Sequence, residues 1–167
     1  DFGRSGDLSV FWVLFEAQGL QQETPFTVEL RNVPFQQQEQ ILFALCDQAP
    51  RFNHAALDAR GNGQYLAEVM MQRYGSASVS QVMLTAAFYL EHFPRLKAAL
   101  EDGSVASLPK DAEILQDLRL VTVIKGVPRV PEQRTSGANG GQRHGDAAVA
   151  LLLAHVAGKA RLEGLLA

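Results

Sequence analysis

At 167 residues, 47% hydrophobic and 20% charged, the chain has the length and composition of one soluble globular domain. No apolar run reaches the roughly 18 to 20 residues that a membrane span needs, and no signal-peptide pattern is present. A net charge of −3 excludes a globally basic nucleic-acid binder, so any DNA contact has to come from a local basic patch.

In chain order, DFGRSGD is an acidic, glycine-studded turn that runs into LSVFWVLFEA, whose aromatic and β-branched residues predict a strand over residues 8–17. TPFTVELRNV, residues 24–33, alternates apolar and polar as a half-buried strand does. PFQQQEQILFALCDQAP shifts to helical spacing through Phe35, Ile41, Leu42 and Leu45, with Pro50 after its end. The one cysteine, Cys46, falls in this helix, which rules out an internal disulfide framework and a thiolate zinc cluster and fits a reducing cytosol.

FNHAALDA predicts a short strand, GNGQYLAEVMMQRYG a helix closed by Gly75, and SVSQVMLT another strand. YLEHFPRLKAALEDG predicts a helix in which Pro94 is tolerated near the start. AEILQDLRLV follows as a helix, and VTVIKGVPRV as two short strands about a Lys-Gly turn. EQRTSGANGGQRHG has linker character, and DAAVALLLAHVAG is an apolar, small-residue helix. Strands first, then alternating helix and strand, then a closing helix predict one α/β domain over residues 1–167, a mixed sheet with helices on both faces.

Three acidic positions draw attention. Asp58 ends a strand, where open α/β sheets gather ligands, and Gly61 and Gly63 after it permit a tight turn; a solvated turn aspartate is the alternative. Asp146 opens the last predicted helix, where aspartate is also a favoured N-cap. Against a simple cap stand His144 two residues earlier, a glycine-rich approach, and a next turn small enough to press against a sheet. Asp1, in the opening turn, supplies a third carboxylate. Converging carboxylates bind hard divalent cations, and two such ions activate water and stabilise the leaving oxygen of a phosphodiester.

The ordered set DFGRSGDLSVFWV, VPFQQQEQILFAL, HAALDARGNGQYLAEVMMQRYG and RHGDAAVALLLAHVAG resembles the nuclease domain of phage large terminase subunits, most closely the Mu-like type. The match runs over essentially the whole chain. It implies a ribonuclease-H-like fold and a metal-dependent endonuclease that cuts phage DNA during genome packaging, using two Mg2+ or Mn2+ ions. By the same resemblance Asp1, Asp58 and Asp146 are the catalytic metal ligands, and Asp7 has a supporting role. Double-stranded DNA, a portal protein and a small terminase subunit are the implied partners, and the cytoplasm of the bacterial host is the implied location of a phage- or prophage-encoded protein. In that family a strand precedes the first aspartate; its counterpart is expected to lie outside this sequence. No GxxxxGK[ST] motif occurs, so ATP hydrolysis is not expected of this chain.

Between residues 125 and 143, Lys125, Arg129, Arg134 and Arg143 face one acid, Glu132, a local balance of +3. A solvated surface is the ordinary reading of such a run. Its place directly before Asp146 makes it the expected phosphate-contacting segment, with His144 as a further donor. His54, His92, His155, Met70, Met71 and Trp12 fit structural positions better. Two other functions compete: a non-catalytic module that docks on the portal or holds DNA, and an actin-like or sugar-kinase phosphate-binding domain. The latter needs a second phosphate loop and does not explain an aspartate heading the last helix.

Overall fold

The computed structural model describes residues 8–17, 21–131, 135–136 and 142–166. In chain order come β1 (Leu8–Trp12), β2 (Phe15–Glu16), β3 (Gln22–Glu23), β4 (Thr27–Arg31), α1 (Phe35–Gln48), β5 (Ala55–Asp58), α2 (Gly63–Tyr74) and β6 (Val79–Val82). Then follow α3 (Ala86–Glu101), β7 (Val105–Ala106), α4 (Ala112–Arg119), β8 (Thr122–Ile124), β9 (Val127–Arg129), β10 (Thr135–Ser136), β11 (Gln142–Arg143) and α5 (Asp146–Leu166). The expected helices are present, but the strand expected over residues 8–17 divides into β1 and β2, which pair in different sheets, and the segment of linker character carries the short β10–β11 pair. The short strands β3 and β7, which pair in parallel, carry too few residues to show a sequence period.

Two ribbons form the middle of the domain. β1 pairs antiparallel with β4, Leu8 opposite Arg31 and Trp12 opposite Thr27. β5 pairs in parallel with β6, Ala55 opposite Val79 and Asp58 opposite Val82. Alternation along β1 sends Leu8, Val10 and Trp12 into a core with Phe93 and Leu96 of α3, Ile114 of α4 and Ala147 and Leu151 of α5. Phe11 points the other way, into a second core with Leu42 and Cys46 of α1 and Ala67 and Met70 of α2. The same division runs through β5, where Leu57 joins the α1–α2 core and Ala56 packs with Val149 and Leu153 of α5. Strands of both orientations therefore lie between two helical layers, α1 and α2 on one face and α3, α4 and α5 on the other.

Local chemistry sets the element ends. Thr85 caps α3 by accepting from the Phe88 amide at 3.2 Å, and Asp111 caps α4 by accepting from the amides of Glu113 and Ile114 at 2.8 and 3.1 Å. Gly75, at φ +79°, closes α2 while its amide donates to Met71. Pro94 corrects one expectation. It stands in the ninth position of α3, well inside the helix, where it removes one backbone hydrogen bond. The helix continues because Phe93, Leu96 and Ala99 on either side of it are buried. A buried polar pair beside β1, Ser9 and Gln38, is satisfied: Ser9 Oγ donates to Gln38 Oε1 at 2.8 Å, and Gln38 Nε2 donates to the Val33 carbonyl at 2.7 Å.

Candidate active site

Asp58 is the last residue of β5 and is only 6% exposed. Side chains two apart on a strand share a face, so Asp58 lies on the face of Ala56, the one that packs on α5. After it the chain turns through Gly61, at φ +49°, into α2. Within that turn Arg60 folds back on the carboxylate. Its Nε donates to Oδ1 at 3.0 Å, its Nη2 to Oδ2 at 3.2 Å, and its backbone amide to Oδ1 at 3.0 Å. The remaining arm, Nη1, donates to the Leu84 carbonyl at 2.9 Å. The Asp58 hydrogen bond raises the Arg60 pKa above its ordinary value in spite of partial burial.

Asp146 is the first residue of α5 and also 6% exposed. It shares a helix face with Val149 and Leu153, which pack against Ala56, Val82 and Leu84. Its Oδ2 accepts from the His144 amide at 3.0 Å, closing a tight turn over Gly145. Gly145 has φ +70°, and a β-carbon there would collide with the Val130 side chain. The strand face that carries Asp58 and the helix face that carries Asp146 thus meet at one interface. Two nearly buried carboxylates offer the hard oxygen donors that magnesium-like ions prefer. Among the described residues, no three His, Cys, Asp or Glu side chains form a complete metal-ligand group. The expected ligands Asp1 and Asp7 lie outside the described residues.

Arg143 corrects a second expectation. It was expected to contact phosphate, and it is instead 2% exposed and bound to three acids. Its guanidinium reaches Asp117 at 2.8 Å, Glu29 at 2.7 Å and Glu113 at 3.2 Å. Burial opposes its charge, but Glu29 and Asp117 outweigh that and hold its pKa above the ordinary arginine value. A guanidinium so enclosed is a structural cation.

The other basic positions divide. The β8–β9 hairpin turns at Lys125 and Gly126, with φ +50° and +80°, as a two-residue hairpin turn requires. Lys125 is exposed at its tip, and Arg129 is half-buried at its base, close enough to Tyr89 of α3 to interact with it electrostatically. Tyr89 has its pKa raised by burial, lowered by Arg60 and raised again by Asp58, so hairpin base, α3 and the Asp58 turn form one charged neighbourhood. His144 is half-buried, and Arg134 lies outside the described residues. Arg60 and Asp117 carried no sequence signal of their own. Arg60 stands two residues past Asp58, and that proximity alone could have found it.

Mixed-orientation strands between two helical layers, with carboxylates at a strand end and a helix start, make this an α/β fold. Crystal structures of the large terminase nuclease from thermophilic phage G20c share it. One with bound zinc aligns at a TM-score of 0.63 and 24% identity, one with bound magnesium at 0.65 and 24%, and a third at 0.66 and 21%. Each covers 93% of this chain and 77% or 78% of that one. No family model matches the chain. In sequence it is 42% identical over 154 residues to the Mu-like prophage FluMu protein gp28 of Haemophilus influenzae, covering 92% of this chain and 30% of that protein. It is 43% identical over 155 residues to the probable terminase large subunit gp28 of Escherichia phage Mu, covering 92% and 28%. Over 92% of its length the chain is thus similar to one part of each of these two gp28 proteins. It spans under a third of those relatives.

Proposed function

We propose that residues 1–167 are the nuclease domain of a large terminase subunit and act as a metal-dependent endodeoxyribonuclease on phage DNA during genome packaging. The observation that carries this reading is the pair of nearly buried carboxylates, Asp58 and Asp146, on the two surfaces where β5 meets α5. The magnesium and zinc bound in the G20c nuclease crystals support the use of a divalent cation.

Asp58 and Asp146 would hold the metal, with Asp1 as the third ligand and Asp7 in support. Two Mg2+ or Mn2+ ions, when bound, supply an activated water and stabilisation of the leaving oxygen. The rest falls to the chain. The His144 amide fixes Asp146 through Oδ2, so its other oxygen can face the β5 side. Gly145 lets Val130 approach and sets where α5 begins. Lys125, Arg129, Arg134 and His144 are the groups that would meet phosphates. Such contacts position DNA without reading its sequence. Double-stranded DNA is the substrate, the portal and the small terminase subunit are the partners in the full machine, and the bacterial host cytoplasm is the setting. No helix among the described residues is long and apolar enough to cross a membrane.

Plasmid nicking tests the reading. The parent should convert supercoiled plasmid to nicked and linear forms with Mn2+ or Mg2+ and not with chelator. Asp58→Asn should lose roughly a hundredfold or more in rate while keeping its fold, since even outer-shell metal partners are worth 10- to 100-fold. Undiminished nicking by Asp58→Asn would remove the carboxylate from the mechanism and the proposal with it.

A further inference from the structure

We infer that Arg60 is a built-in counter-cation for Asp58, which holds the carboxylate in its metal-binding pose and competes with the divalent ion for it. The inference rests on the metal-site part of the reading above. Each carboxylate oxygen has two acceptor positions. On Asp58, both positions of Oδ1 are taken, one by the Arg60 amide and one by Arg60 Nε, while among the described residues Oδ2 receives only Nη2. A cation can therefore reach Asp58 through Oδ2 alone unless the guanidinium moves. The third arm of Arg60 is tied to the Leu84 carbonyl, so the fork is held from both sides.

Charge sets the direction of the effect. Asp58 has 9% of its side chain exposed and would be costly to leave ionised without a partner, whereas Arg60 is 44% exposed and can be rehydrated. Before a metal arrives, Arg60 neutralises Asp58. When a dication arrives, a single positive charge already sits against the same carboxylate and weakens its affinity. Removing Arg60 should thus destabilise the metal-free protein and tighten metal binding. A purely structural arginine would do only the first.

The test is Mn2+ titration by calorimetry, with thermal unfolding at zero and saturating Mn2+, on the folded 167-residue chain. Arg60→Ala should bind Mn2+ about tenfold more tightly than the parent. Its Tm should be lower without metal and recover most of the difference at saturation. Arg60→Lys keeps the charge and loses the fork; it should bind about threefold more tightly, and it stands in if the alanine variant does not fold. Adding Asp58→Asn to either variant should abolish the gain. Equal or weaker Mn2+ affinity in Arg60→Ala, or in Arg60→Lys if only that variant folds, overturns the latch while leaving the nuclease reading intact. If Asp58→Asn alone leaves the parent's Mn2+ affinity unchanged, the metal site itself is misplaced, and latch and nuclease reading fall together.

Discussion

Asp117 and Arg143 form an ion pair shut away from solvent: Nη2 lies 2.8 Å from Oδ2, Nε lies 3.2 Å from both oxygens, and the side chains are 0% and 2% exposed. Asp117 Oδ2 also accepts from the amide of Ala147, the second residue of α5, at 3.2 Å. One carboxylate on α4 therefore binds both the cation just before Asp146 and the helix that carries it. Arg143→Ala should cost about 3–5 kcal/mol, because it leaves Asp117 buried and unpaired. Urea denaturation measures this. A loss under 1 kcal/mol would mean that water replaces the guanidinium freely.

Gly145 combines a left-handed backbone with contact against Val130. Gly145→Ala should cost roughly 2–4 kcal/mol, about 1 from the backbone and the rest from overpacking. Adding Val130→Ala should relieve the collision and leave the backbone share. A double-mutant cycle of unfolding free energies separates the two. Additivity of the two changes would show that Val130 yields without strain.

His155 gives the protein an acid-side weakness. It is 3% exposed, its Nδ1 lies 3.0 Å from Gln22 Oε1, and its pKa is pushed down to about 4 by burial, then by Lys159 and His92. In the unfolded chain it titrates near its ordinary 6.5, so between pH 6.5 and 4 the unfolded state binds more protons. Stability should be complete above pH 6.5 and fall as pH drops to 4, by up to about 3 kcal/mol. His155→Gln should flatten that part of the stability–pH curve. An unchanged slope would assign the acid loss to other groups.

On the proposed DNA path, Lys125→Ala and Arg129→Ala should each weaken binding of a random duplex and lower the slope of log affinity against log salt by about 0.9. An arginine already neutralised by three acids releases no counterion, so a folded Arg143→Lys variant should leave that slope unchanged. Fluorescence anisotropy across a salt series reads all three. Slopes unaffected by the hairpin variants would put the DNA elsewhere.

Much of this was legible in the sequence where one local rule decided the outcome. The Lys125–Gly126 turn, the Gly75 helix end and the β5–Gly–α2 passage each follow from backbone chemistry within a few residues. Arg143 was not legible. Its basic, glycine-rich surroundings look like a solvated loop, and only the fold brings Glu29, Glu113 and Asp117 around it from as far as 114 residues away. Pro94 misled for a related reason: tertiary burial of its neighbours overrides a local helix-breaking preference. Of the site, Asp58 and Asp146 could be placed from their elements. Arg60's grip on Asp58 depends on how one turn closes, and no residue pattern states that.

α5 seats both ribbons, β1 through Ala147 and Leu151 and β5 through Val149 and Leu153. It also follows, in chain order, every strand it packs on. At roughly 5–20 residues per second, the ribosome needs on the order of ten seconds to half a minute to pass from Leu8 to Asp146. Through that interval Leu8, Val10 and Trp12 lack much of the helical surface that buries them. The delay also orders the assembly: Asp146 arrives with α5, so a growing chain cannot bring the faces that carry Asp58 and Asp146 together before α5 has been made.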